Sequence, residues 1–112
     1  MKDNVQGGAL TETTLLILLA LFKPNHGYGI MQFIEERTDK RVSLGPGTLY
    51  GAINTLSKKN WIVPCGEDDS RKKQFIITEL GKKQVIKEKK RLEDLSMLVE
   101  LALGGEYDHE NY

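Results

Sequence analysis

The chain is 112 residues long, 39% hydrophobic and 29% charged, with a formal net charge of zero. These values fit one folded domain, or one domain with an appended helix, and exclude a disordered chain. The single cysteine, Cys65, rules out an intrachain disulfide and makes a reducing cytoplasm the expected location. The zero total conceals an uneven distribution. Arg71 to Arg91 holds nine Lys or Arg and two Glu, whereas Leu92 to Tyr112 holds six Asp or Glu and no Lys or Arg. The total therefore argues neither for nor against nucleic acid, and each run also reads as a solvated helix face.

In chain order, residues 1–9 are polar and Gly-rich and read as a flexible N-terminal arm. Thr11 suits the cap of a first helix, with Glu12 near its positive end. Leu15 to Phe22 is strongly apolar, but it falls short of the roughly 20 residues a membrane span needs. The N-terminus lacks the pattern of a signal peptide, so no membrane partner is expected. This helix is apolar on more than one side, which predicts burial between two surfaces, and Pro24 stops it. Asn25 is the expected cap of a second helix over 27–37 that buries Ile30, Phe33 and Ile34. Lys40 to Leu44 leaves room for a short strand.

Gly45 and Pro46 suit the cap and first position of a third helix ending near Asn60-Trp61. Its apolar residues Leu49, Ile53 and Leu56 share one face. Thr48, Tyr50, Gly51, Asn54, Thr55 and Lys58 form the other. A buried stripe behind a small, hydrogen-bonding surface with a cation at its end suits a DNA major groove. Ile62 to Cys65 and Arg71 to Ile77, separated by a polar Gly-containing loop, read as a hairpin, with Pro64 marking an edge strand. The fold class expected is mainly α (α+β), a winged helix-turn-helix over residues 10–80.

A last helix follows, over 81–103, and Gly104-Gly105 stops it before an acidic tail at 104–112. It is too long for so small a domain to cover. Val85, Leu92 and Val99 are seven apart; so are Glu88, Leu95 and Ala102, and the two sets interleave as an a/d seam with one polar misfit, Glu88. The seam Val85, Leu92, Leu95, Val99 and Ala102 is expected to face a second subunit; the alternative is a helix folded back on its own domain.

His26-Gly27-Tyr28-Gly29-Ile30, Pro46-Gly47-Thr48-Leu49-Tyr50, Ile53-Asn54-Leu56 and the strand leading into Glu79-Leu80-Gly81 resemble the PadR family of transcriptional regulators over roughly residues 10–103. The resemblance implies a homodimeric winged-helix repressor whose C-terminal helix makes the dimer, in the smaller subfamily with one such helix. Three features depart from the pattern: Gly45 stands where Ser is common, Gly51 where a larger residue is usual, and the wing tip Glu67-Asp68-Asp69 is acidic. Some small relatives sandwich flat drugs with an aromatic in the terminal helix. Lys82 to Leu103 contains none, so drug binding is not carried over.

The DNA-binding candidates are Thr48, Tyr50, Gly51, Asn54, Lys58, Lys59, Arg71, Lys72, Lys73, His26 and Tyr28. The Thr and Tyr hydroxyls suit phosphate oxygens, and an Asn amide pairs with adenine. Gly51 permits close approach. Lys58 and Lys59 reach the backbone or solvate the helix end, and Tyr50 could instead pack on its own domain. Arg71, Lys72 and Lys73 could hold a minor groove or pair with Glu67 to Asp69. His26 and Tyr28 open the second helix, whose N–H groups favour an anion, and Tyr28 reads at least equally well as a core residue. Trp61 reads as a seal between third helix and wing, and Cys65 as a small hydrophobe. One Cys and two His provide no metal-ligand spacing, no cofactor is implied, and no enzyme constellation is present. The expected partner is a near-palindromic double-stranded operator bound by a homodimer. A small-molecule inducer of unknown identity could act by changing the angle between terminal helix and winged domain. A protein-interaction module without specific DNA binding is the competing reading.

Overall fold

The computed structural model describes residues 8–66 and 73–105. Its elements are α1 (Glu12–Ala20), β1 (Asn25–His26), α2 (Gly27–Arg37), α3 (Pro46–Lys58), β2 (Ile62–Cys65), β3 (Gln74–Ile77) and α4 (Glu79–Leu103). Local chemistry accounts for most of their ends. Thr11 caps α1, its Oγ1 accepting from the Thr14 N–H at 3.0 Å, and Glu12 sits in the first turn. Pro46 occupies the first turn of α3 behind Gly45. Thr78 caps α4 by accepting from the Gly81 N–H at 3.0 Å, and its hydroxyl donates to the Asn60 carbonyl at 2.7 Å.

The second helix is capped differently from the sequence expectation. His26, not Asn25, is the cap, and its Nδ1 accepts from the Gly29 N–H at 3.2 Å. Asn25 lies one residue too early, and its side chain accepts from the His26 N–H instead.

The sheet is antiparallel in the order β1-β3-β2. β2 is an edge strand, as Pro64 requires. The remaining strand does not come from Lys40 to Leu44, where a short strand is expected. Asp39 and Lys40 have φ of 53° and 64° and reverse the chain after α2. Val42 spends its N–H on Thr38 Oγ1 at 3.1 Å, so it has no donor left for a ladder. Asn25 and His26 supply the strand instead, pairing with Phe75 and Gln74. Two residues between Pro24 and a helix carry no alternation that a sequence reading could register.

The core lies between the helices and the sheet. Ile17, Leu18 and Leu21 of the α1 region meet Ile30 and Ile34 of α2, Leu49 and Leu56 of α3, and Phe75 and Ile77 of β3. Each fully buried Leu or Ile contributes about 1.5–3 kcal/mol. α1 is buried on one side only, not between two surfaces: Leu19, and Phe22 just beyond the helix, remain 37% and 45% exposed.

α4 has 25 residues and so spans about 37 Å. Its first half is docked on the domain. Gly81 packs against the Trp61 carbonyl, and Val85 packs partly buried on the core. Glu88 is 2% exposed, which corrects its reading as a polar misfit in an intersubunit seam. Its carboxylate turns inward, accepting from the Leu10 N–H at 3.2 Å and from Arg91 Nε at 2.9 Å. Beyond Glu88 no residue of the helix is buried. The arrangement is a mainly helical winged helix-turn-helix extended by a long C-terminal helix.

Candidate nucleic-acid interface

The candidate surface is built on α3. Leu49, Ala52, Ile53 and Leu56 are buried and fix the helix to the core. The opposite face then has no choice but to point outward. Tyr50, Asn54 and Lys58 recur every four residues and form one exposed stripe, with Thr48 and Gly51 beside it. A Cβ on Gly51 would meet nothing within 4 Å, so this part of the surface is flat and open to close approach. Thr55 belongs to the face less fully: its hydroxyl donates back to the Gly51 carbonyl at 3.2 Å.

Candidates from other elements converge on one end of this stripe. Tyr50 lies across Gly27 at the start of α2, next to His26 and Tyr28. Tyr28 is 63% exposed rather than core, with its hydroxyl 3.3 Å from Gln32 Nε2. His26 is half-buried, and because Nδ1 accepts the capping bond, Nε2 is the ring's other hydrogen-bonding atom. The pairing of His26 with Gln74 brings the start of β3, with exposed Lys73 just before it, to the same place. Lys73 Nζ lies 5.7 Å from the centroid of the Phe75 ring.

The two lysines at the far end differ. Lys58 is exposed, whereas Lys59 is half-buried with Nζ 4.6 Å over the Trp61 ring. Trp61 itself packs against the core at the junction of α3 and β2. Arg71, Lys72 and the acidic tip Glu67 to Asp69 lie outside the described residues. In the sequence alone Gly27 reads as the start of a helix and as one residue of the His-Gly-Tyr motif. The contact that makes it part of this surface joins two helices far apart in sequence, and the His-Gly-Tyr spacing was the one signal pointing to it.

The second expected surface is the seam of α4. Val85 is partly buried in its own domain, while Leu92, Leu95 and Val99 are 43%, 46% and 55% exposed and Ala102 is exposed. Leu15 and Leu19 of α1 join Val85, Leu92 and Ser96 around an apolar groove of about 370 Å³. Among the described residues no cluster of His, Cys, Asp and Glu could hold a metal, and no helix is long and apolar enough to cross a membrane.

Known proteins share this arrangement. A transcriptional regulator from Clostridium thermocellum superposes with a TM-score of 0.67 at 25% identity, over 88% of this chain and 96% of its own. A PadR family transcription regulator from Clostridium difficile gives a TM-score of 0.69 at 23% identity, covering 83% and 99% of the two chains, and shows the shared fold. An uncharacterized 37.1 kDa protein in a Streptomyces fradiae transposon is 36% identical over 86 residues. That match takes in 76% of this chain, which spans only 24% of the relative's length. A Lysinibacillus sphaericus protein is 30% identical over 95 residues, 82% of this chain and 87% of its own. The model of the transcriptional regulator PadR-like family matches residues 15–87, which take in the α3 face and the sheet behind it, and the chain belongs to that family of DNA-binding regulators.

Proposed function

We propose that the chain is a homodimeric, cytoplasmic repressor that occludes a near-palindromic operator. Residues 10–80 form the DNA-binding domain in this reading, and 81–103 the dimerisation helix. The observation that carries it is the exposed stripe Thr48, Tyr50, Asn54 and Lys58 on a helix whose other side is wholly buried. Thr48, Tyr50, Gly51 and Asn54 enter the major groove, with Asn54 the reader of a base edge. Lys58, Lys59, Lys73, His26 and Tyr28 hold flanking phosphates, joined by Arg71 and Lys72 of the wing. The unburied leucines of α4 and the groove beside α1 support pairing of two copies. A two-fold axis there would set two identical recognition helices on one face of the duplex. An inducer would act by changing the angle at which α4 leaves the domain, and with it the separation of those helices.

Gel-shift titration against the chain's own upstream region tests the reading. Asn54→Ala should weaken specific binding by about 1–3 kcal/mol and relax preference at one operator position. Binding to no genomic fragment, or binding indifferent to salt, would sink it. That result would favour a protein-interaction module, to which Gly51 and the acidic Glu67-Asp68-Asp69 sequence lend some support.

A further inference from the structure

The exposed tyrosine of α3 owes its position to a glycine on another helix. Gly27 is buried at the first position of α2. A methyl group built there would overlap the Tyr50 hydroxyl oxygen and lie 2.7 Å from Tyr50 Cζ and 3.4 Å from Cε1. Carbon atoms rest about 3.5–4.0 Å apart, so the methyl and the ring cannot share this space. The three nearest heavy atoms all belong to the ring tip of Tyr50. The backbone of Gly27 does not adopt a left-handed φ, so its conformation does not demand glycine; the ring does. Gly47 and Gly51, on α3 itself, have open space where a Cβ would go.

We propose that Gly27 is a positioning residue for DNA binding. Its missing side chain seats the Tyr50 hydroxyl at the start of α2, beside His26 and Tyr28, so that two helices present one edge to a phosphate. This deepens the DNA-binding reading of the α3 face and rests on it. A Tyr held in place before binding has little rotamer freedom left to lose when its hydroxyl donates to a phosphate oxygen. With alanine at position 27 the ring tip must swing out. Tyr50 is 51% exposed, so solvent is there to receive it and the fold need not change.

The test is a fluorescence-anisotropy titration, at fixed salt, of the duplex upstream region with the wild type, Gly27→Ala, Tyr50→Ala and the double variant. Gly27→Ala should weaken binding by roughly three- to tenfold when Tyr50 is present. In the Tyr50→Ala background it should cost about twofold or less, because the residue it displaces is gone. Equal losses in the two backgrounds, or none in the first, overturn the proposal. Thermal unfolding accompanies the titration. Gly27→Ala should melt close to the wild type; if it fails to fold, adding Tyr50→Ala must restore folding, and an unfolded double variant also overturns the proposal. A wild type that binds no fragment defeats the DNA reading and this proposal with it, whereas wild-type binding with additive variants defeats the role of Gly27 alone.

Discussion

Glu88 offers a direct test of the joint between α4 and the rest of the domain. Its Oε1 accepts from the Leu10 N–H and from Arg91 Nε, and its Oε2 accepts from Arg91 Nη2. The hydrogen bond from Arg91, assisted by the Leu10 N–H and the arginine charge, holds this carboxyl below its ordinary 4.5, against the burial that pushes it up. Glu88→Ala removes every acceptor and strands the buried Leu10 N–H, at a cost of about 1–3 kcal/mol before the lost packing of the side-chain stem. Glu88→Gln keeps one oxygen but replaces charge-assisted bonds with neutral ones, a difference of about 1 kcal/mol. In a chain of this size 1 kcal/mol moves Tm by about 4–8 °C. Alanine should therefore lower Tm by about 10 °C and glutamine by about half that. The folded carboxyl titrates below the unfolded one, so its contribution is complete above about 4.5 and lost as pH falls through the folded value. Urea unfolding followed from pH 7 downward, at fixed protein concentration, should show the wild type losing more stability in that window than Glu88→Gln. An alanine variant with wild-type stability and an unchanged pH profile would refute the idea that this carboxylate ties α4 to the N-terminal segment.

Leu95→Asp places a charge in the exposed seam of α4 and should convert dimers to monomers by sedimentation; a wild type that is monomeric at tens of micromolar (an order of magnitude set by the range of interface affinities) contradicts the pairing. A Cβ on Gly81 would overlap the Trp61 carbonyl and lie 2.7 Å from Ile77 Cγ1, whereas one on Gly47 meets nothing. Gly81→Ala should cost about 1–3 kcal/mol by denaturant unfolding and Gly47→Ala should be neutral or stabilising by up to about 1 kcal/mol, so similar midpoints for the two would show the close approach at Gly81 to be unimportant. Lys58→Ala should weaken all duplexes alike and flatten the slope of log affinity against log salt by about one; an unchanged slope would mean that Lys58 neutralises no phosphate. Inserting about five base pairs between operator half-sites should drop affinity towards the non-specific level, and indifference to the insertion would remove the two-fold geometry.

Much of the fold is legible in the residues because local rules act strongly here. Thr11 and Gly45-Pro46 mark helix starts by chemistry confined to one turn. The spacing of Leu49, Ile53 and Leu56 determines which side of α3 is buried, and so which side is left exposed. The length and apolar content of α4 already say that one small domain cannot cover it.

Only the tertiary structure decides where distant segments meet. Asn25 and His26 become a strand because β3 presents a free edge to them, not because two residues have a strand-like pattern. Glu88 fits a heptad by spacing, yet the helix is still docked at that turn, and a buried carboxylate there is compensated by Leu10 and Arg91. The heptad count is periodic along the helix, whereas the domain ends at one point on it, and no spacing rule records where. Gly27 and Tyr50 read as separate motif residues until folding places the ring where a Cβ would otherwise be. Periodicity encodes which face of an element is apolar; what that face meets depends on steric fit between elements, which exists only once they are packed.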